Sequence, residues 1–116
     1  MKRPDIFELH ATVCGTLSNP TRLKILALLG KQETSVGEMA SAIGVSLSNV
    51  SQHLSVLKAN HLVVARKQGQ TVFYSLADRR IIQACSLIRS VLLDQMKVRG
   101  EIAEETDPRY AVTLER

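Results

Sequence analysis

Residues Ser35 to Leu57 read SVGEMASAIGVSLSNVSQHLSVL, and this stretch decides the fold. Ser35 is followed three positions later by Glu38, the pattern of a capping box at a helix start. Met39, Ala40 and Ile43 continue at helical spacing. Gly44 then supplies a residue that accepts the left-handed backbone at which helices end. Ser46 offers the N-cap of a second helix. Beyond it Leu47, Val50, Leu54 and Leu57 recur at helical period and predict one buried stripe. Ser48, Asn49, Ser51, Gln52, His53 and Ser55 are left for the other faces. Two short helices joined by a tight turn, with small polar groups at the start of the second, match the arrangement in which a recognition helix enters the major groove of DNA. The competing reading is a solvated helix pair in an ordinary bundle.

The next segment favours the DNA reading. Leu62 to Leu76, LVVARKQGQTVFYSL, predicts a β-hairpin. Val63, Val64 and Ala65 lead into Arg66-Lys67-Gln68-Gly69-Gln70, and Thr71, Val72, Phe73 and Tyr74 return as β-branched and aromatic residues. A hairpin directly after a recognition helix is a wing. Its basic pair, Arg66 and Lys67, is expected near the tip, where it would meet phosphates or the minor groove. The alternative is a hairpin whose charges only protect an edge strand.

Composition narrows the function classes. A chain of 116 residues with 45% hydrophobic residues is one globular domain. No apolar run approaches the roughly 20 residues that span a bilayer. MKRPDIFELH has no apolar segment after its basic residues, so no secretory signal is expected, and the chain is read as cytoplasmic with no membrane partner. A net charge of +4 fits a nucleic-acid partner without requiring one. The absence of Trp argues against a single-strand binder that stacks bases on aromatic platforms. An enzyme is not expected, because there is no Gly-rich phosphate loop and no assembled Ser/His/Asp set.

Outside the central motif, Asp5 to Leu17 predicts a first helix with Ile6, Leu9, Val13 and Leu17 on one face. Asn19 as N-cap and Pro20 at the first helical position start a second helix running to about Gly30. Leu23, Ile25, Leu26, Leu28 and Leu29 make it apolar most of the way round, as a central core helix should be. Lys31 to Thr34 is read as a polar loop. Ala77-Asp78 opens a last helix to about Arg99, striped with Ile81, Ile82, Cys85, Ile88, Leu92 and Met96. The first and last helices carry more apolar surface than so small a core can use, which suggests a two-fold dimer. The fold class expected is therefore mainly α with a small β-hairpin, a dimeric winged helix-turn-helix. Residues 1–99 form the DNA-binding and dimerisation domain, and residues 100–116 a tail that is loosely ordered or packs on a partner subunit.

LSNPTRLKILALL (Leu17 to Leu29), SVGEMASAIGVSLSNVSQHLSVLKANHLV (Ser35 to Val63) and RKQGQTVFYSL (Arg66 to Leu76) carry a further likeness. The chain resembles the ArsR/SmtB family of bacterial winged-helix transcriptional repressors over roughly residues 5 to 97. The resemblance implies a homodimer that binds a palindromic operator in double-stranded DNA and releases it when an inducer docks. It implies five helices with the hairpin between the fourth and fifth, and a dimer interface built from the first and last. It also marks Arg22 as a buried structural arginine. The residues expected to contact DNA are Ser46, Ser48, Asn49, Ser51, Gln52, His53 and Lys58 from the recognition helix, with Arg66, Lys67 and Gln70 from the wing. The other class kept open is a winged-helix protein-interaction module that does not bind DNA.

The inducer is where this chain departs from the family pattern. Many metal sensors of the family carry Cys-x-Cys at the start of the third helix, where this chain has Ser35-Val36-Gly37-Glu38. Others use Asp and His on the last helix, which here has Asp78 and Asp94 but no His. His61 stands in the turn before the wing, apart from any ligand partner. The only thiols are Cys14 on the first helix and Cys85 on the last. They are read in three ways: a redox or reactive-sulfur switch, a site for a thiophilic metal or metalloid ion such as arsenite, Cd²⁺ or Cu(I) with His10 as a further ligand, or two small packing residues.

Overall fold

The structure is a computed structural model, and it describes residues 3–99. The tail expected over 100–116 lies outside the described residues. Eight elements follow in chain order: α1 (Ile6–Leu17), α2 (Pro20–Lys31), β1 (Thr34–Ser35), α3 (Val36–Ile43), α4 (Leu47–Ala59), β2 (Val63–Gln68), β3 (Thr71–Leu76) and α5 (Arg79–Val98).

Side-chain caps set most of the helix starts. Asp5 accepts from the backbone N–H of Phe7, Asn19 from that of Arg22 and Asp78 from that of Arg80. Each satisfies one of the N–H groups that a helix start leaves without a partner. The Ser35–Glu38 capping box forms in both directions, and Gly44 closes α3 in the left-handed region at φ 81°. Ser46 caps α4 by accepting from the N–H of Asn49. At the other end of α4, the N–H of Leu62 donates to the Leu57 carbonyl at 3.0 Å and that of His61 to the Lys58 carbonyl at 3.0 Å. This bond pair is a Schellman end, and its left-handed position, usually glycine, is held by His61 at φ 61°.

The core wraps α2. Ile25, Leu26 and Leu29 are sealed from solvent together with Met39 of α3, Val50, Leu54 and Leu57 of α4, Val63 of β2 and Ile82 of α5. Arg79, at the start of α5, donates to the Gly30 carbonyl at 2.9 Å and ties that helix to the end of α2. Among the described residues no helix is long and apolar enough to cross a membrane.

The structure corrects three expectations. Thr34 is not in a loop: with Ser35 it forms β1, and the two pair antiparallel with Tyr74 and Phe73, so the hairpin becomes a three-stranded sheet of order β1-β3-β2. Two residues are too few to show an alternating pattern, and strand pairing with β3 makes the strand. The strands of the hairpin also run closer to the turn than the sequence suggests. Arg66 faces Phe73, Lys67 faces Val72 and Gln68 faces Thr71, which leaves only Gly69 and Gln70 as the turn. Gly69 opens it at φ 63°, where a side chain would be strained. Finally, Leu47 is 59% exposed and does not join the buried stripe of α4. At about 3.6 residues per turn it falls on the margin of the arc that holds Val50, Leu54 and Leu57, and it opens the helix.

The apolar stripe of α5 divides. Ile82 and Cys85 enter the core, while Leu87, Ile88, Val91 and Leu92 stand exposed. Ile6, Phe7 and Leu9 of α1 are exposed too, with Phe7 at 75%. Exposed apolar surface of this extent on two helices marks a contact face.

The two leucines of α4 provide a direct check. Leu54→Ala is expected to cost about 2–5 kcal/mol of unfolding free energy, as for a sealed core position. Leu47→Ala should stay within about 0.5 kcal/mol of the parent. Urea titrations of the two variants would reveal equal losses if Leu47 were part of the core.

Candidate nucleic-acid interface and thiol cavity

The polar face of α4 is only partly what the sequence suggests. Ser46, Ser48, Ser51, Gln52 and Lys58 are exposed. The hydroxyls of Ser46 and Ser48 lie 3.3 Å apart at the helix start. These groups offer the mixed donors and acceptors that read base edges or hold phosphates. Asn49 differs from them. It is half-buried, and its Oδ1 is shut away from solvent without a hydrogen-bond partner among the described residues. A buried, unpaired amide oxygen costs about 1–3 kcal/mol, so this side chain gains by turning outward to a partner.

His53 needs a correction. It was expected to face DNA, yet it is half-buried and its Nδ1 accepts a hydrogen bond from Arg22 Nε at 3.2 Å. Arg22 Nη1 donates in addition to the Thr16 carbonyl of α1 at 3.1 Å. Arg22 is thus the structural arginine that the resemblance implied. His53 is the residue of α4 that receives it.

The wing also departs from expectation. Lys67 is exposed, as is Gln70 at the turn. Arg66 is not free at the tip: its Nη2 and Nε donate to the two carboxylate oxygens of Glu33 at 2.6 and 3.2 Å, and its Nη1 to Gln68 Oε1 at 2.9 Å. Its guanidinium also lies 5.0 Å from the centroid of the Phe73 ring, within cation–π range. Glu33 was missed at the sequence level, because only the β1–β3 pairing brings it beside the wing. The hydrogen bond from Arg66, with its charge, holds the Glu33 carboxyl below its ordinary value.

Cys14 is exposed on α1 and Cys85 is buried on α5. Both line one cavity of about 340 Å³, with Leu17, Ser18, Leu23, Ile88, Arg89 and Leu92. Burial pushes the Cys85 thiol up from its ordinary value, the Arg89 cation opposes this, and Cys14 adds to it. His10 is exposed on α1 and does not line the cavity. Among the described residues no three His, Cys, Asp or Glu side chains converge as a metal site would require.

A recognition helix laid across α3, followed by a basic hairpin, defines a winged helix-turn-helix, a class of DNA-binding domain. Comparison with known proteins places the chain within that class. Residues 17–66 match the model of a helix-turn-helix domain family. An HTH-type transcriptional regulator of Mycobacterium tuberculosis, Rv0081, is 35% identical over 106 residues, spanning 90% of this chain and 93% of the relative. Its crystal structure superposes with a TM-score of 0.74 at 35% identity, covering 84% of this chain and 99% of that one. A homodimeric winged helix-turn-helix DNA-binding domain from Mycobacterium bovis, a possible ArsR-family regulator, gives a TM-score of 0.69 at 28% identity over 86% of this chain and 91% of that one. A transcriptional repressor SmtB homologue of Synechocystis is 41% identical over 85 residues, 69% of this chain and 64% of the relative. The chain belongs to the ArsR/SmtB family of DNA-binding transcriptional regulators, which are not enzymes.

The Glu33–Arg66 pair makes the wing sensitive to acid. Because the folded carboxyl is depressed, the pair's contribution is complete above the ordinary Glu value of 4.5 and fades as pH falls through the lowered value. Solvent screening keeps the effect small. Hydrogen exchange at the wing, corrected for intrinsic rates, should therefore quicken between about pH 6 and about pH 3 in the parent protein. In Glu33→Gln it should already be fast at the higher pH.

Proposed function

We propose that this protein is a homodimeric repressor that binds a palindromic operator and leaves it when Cys14 and Cys85 are oxidised to a disulfide. The observation that carries the reading is the shared cavity: two thiols from the two ends of the described chain line it, beside an uncovered apolar face. Ser48, Ser51, Gln52 and an outward-turned Asn49 read base edges. Ser46, Lys58, Lys67 and Gln70 hold the backbone of the duplex. The exposed residues of α1 and α5 fit a two-fold contact, as in the homodimeric relative from Mycobacterium bovis. Two-fold symmetry spaces the recognition helices by about one turn of DNA, which calls for a palindrome. The Synechocystis relative is itself named a repressor.

The chemistry divides between the thiols by exposure. Cys14, open to solvent, attacks a sulfur of a disulfide or polysulfide donor and expels a thiolate. Cys85 loses its proton to solvent and attacks the Cys14 sulfur, which expels the second thiolate and forms the Cys14–Cys85 bond. Two electrons pass to the donor. The Arg89 cation favours the Cys85 thiolate on which the second step depends. The bond changes how α1 sits against α5, and a ligand or bond that favours one dimer spacing over the other shifts operator affinity. A hundredfold release corresponds to about 2.7 kcal/mol of coupling.

Cys14→Ser and Cys85→Ser are each expected to leave operator binding by reduced protein intact and to abolish release by oxidised glutathione or inorganic tetrasulfide. Gel-shift titrations decide this, and serine variants that respond like the parent would make both cysteines packing residues. The wing has its own test. Lys67→Ala should lower the slope of log K against log salt by about one unit. Arg66→Ala should lower it by less, because Glu33 already neutralises that charge. Absence of salt-dependent binding to duplex DNA would favour the interaction-module reading instead.

A further inference from the structure

Arg22 occupies the junction of three helices. It sits in the first turn of α2, and its backbone N–H donates to Asn19 Oδ1 at 3.1 Å. One arm of its guanidinium reaches back to the Thr16 carbonyl in the last turn of α1, and the other reaches across to His53 Nδ1 in the middle of α4. Carbonyls at a helix end lack partners within the helix, so the bond to Thr16 alone would be an ordinary cap. The bond to His53 is a different matter. It spans 31 positions of sequence and ends on the residue after Gln52, inside the recognition helix. Leu17 and Ser18, immediately after Thr16, line the thiol cavity. The donors of the guanidinium form a rigid planar fork. His53 can accept only as a neutral ring with its proton on Nε2.

We infer that Arg22 is a positioning residue for operator recognition, a clasp that sets the seat of the recognition helix through His53 and joins it to the end of α1 that lines the thiol cavity. The regulatory half of this inference rests on the thiol switch proposed above. The positioning half does not. A change in α1 at Cys14 moves the Thr16 carbonyl, and the fork transmits that displacement to His53. Ser51, Gln52 and Asn49 share its helix, so a small change of seat alters their reach to the bases.

The test uses the full chain as a reduced dimer, an operator duplex and a random duplex, with thermal melts to confirm folding. In Arg22→Met and in His53→Leu the preference for operator over random DNA should fall at least about tenfold, the double variant being no worse than the weaker single one. His53→Asn places an amide oxygen where Nδ1 stood and should recover most of the preference. Arg22→Lys keeps the charge without the fork and should not. Additive losses in the double variant overturn the clasp, as does an asparagine variant as weak as the leucine one. Should Arg22→Met not fold, the His53 pair and Arg22→Lys still decide. The second arm adds oxidised glutathione. Parent protein that releases DNA, with His53→Leu losing that response, supports the coupling to α1. His53→Leu releasing by the same factor as the parent overturns it. Parent protein that never releases overturns the thiol switch and the coupling together, while the reduced series still rules on the clasp by itself.

Discussion

The enclosure of α2 is the constraint from which the other features follow. Ile25, Leu26 and Leu29 are withdrawn from water on a helix that is apolar most of the way round. Each such side chain contributes roughly 1.5–3 kcal/mol when fully buried, and that gain requires neighbours on several sides. α3, α4, β3 and the first half of α5 supply them. A helix enclosed in this way has little surface left for α1 or for the second half of α5. Those segments keep their apolar residues exposed, and the face that results follows from the size of the core as much as from any demand of assembly. In a domain this small, the core and the contact face compete for the same few helices.

Polar links then fix what the core leaves adjustable. Apolar packing sets which helices touch, but it tolerates small rotations about their axes. A fork such as that of Arg22, tied to a carbonyl on α1 and a ring nitrogen on α4, does not. Arg79 acts similarly where α5 begins, by holding the Gly30 carbonyl near the end of α2. The surface pairs differ in weight. Arg80–Asp78 and Arg66–Glu33 are exposed, and pairs of that kind contribute about 0–1 kcal/mol. Their value is orientation. Asp78 caps α5 while its carboxyl is held at about 2 by Arg80, and Glu33 holds Arg66 flat against the wing.

Much of this was legible from local chemistry. The capping box of Ser35 and Glu38, the Asn19-Pro20 start, the caps Ser46 and Asp78 and the glycine stop at Gly44 each depend on neighbours a few residues away, and each is found where the sequence puts it. Features that depend on distant partners were not legible. β1 exists because β3 lies beside it. Glu33 matters because that pairing carries it to Arg66, and His53 turns inward because Arg22 reaches it from another helix. Leu47 shows a subtler limit: its spacing matches the stripe, but as the first residue of the helix, at the edge of the arc, it stays 59% exposed. The shared cavity of Cys14 and Cys85 was not legible: the sequence puts them on the two helices of an expected dimer interface, and only the fold shows that both line one pocket within a single chain.

The placement of that cavity bears on why a thiol pair would suit this chain. α1 is joined to α2 through Ser18 and Asn19 alone, so a change at its end has a short path to the helix that everything else encloses. The same end faces α5 and the uncovered apolar surface. Under the proposed switch, an event there would act on two things at once: the contact between protomers, and the seat of α4 through Arg22. The unequal exposure of the two sulfurs gives the pair direction. Cys85, buried and with its thiol raised, stays protonated and inert at rest. Cys14 alone meets reagents in solvent. Once Cys14 carries a sulfur adduct, the barrier to the second step is the ionisation of a neighbour that already lines the same cavity beside the Arg89 cation. A packing pair would gain nothing from this asymmetry, since two buried thiols would fill the space as well. In the proposed switch, an exposed thiol beside a buried one would separate sensing from locking.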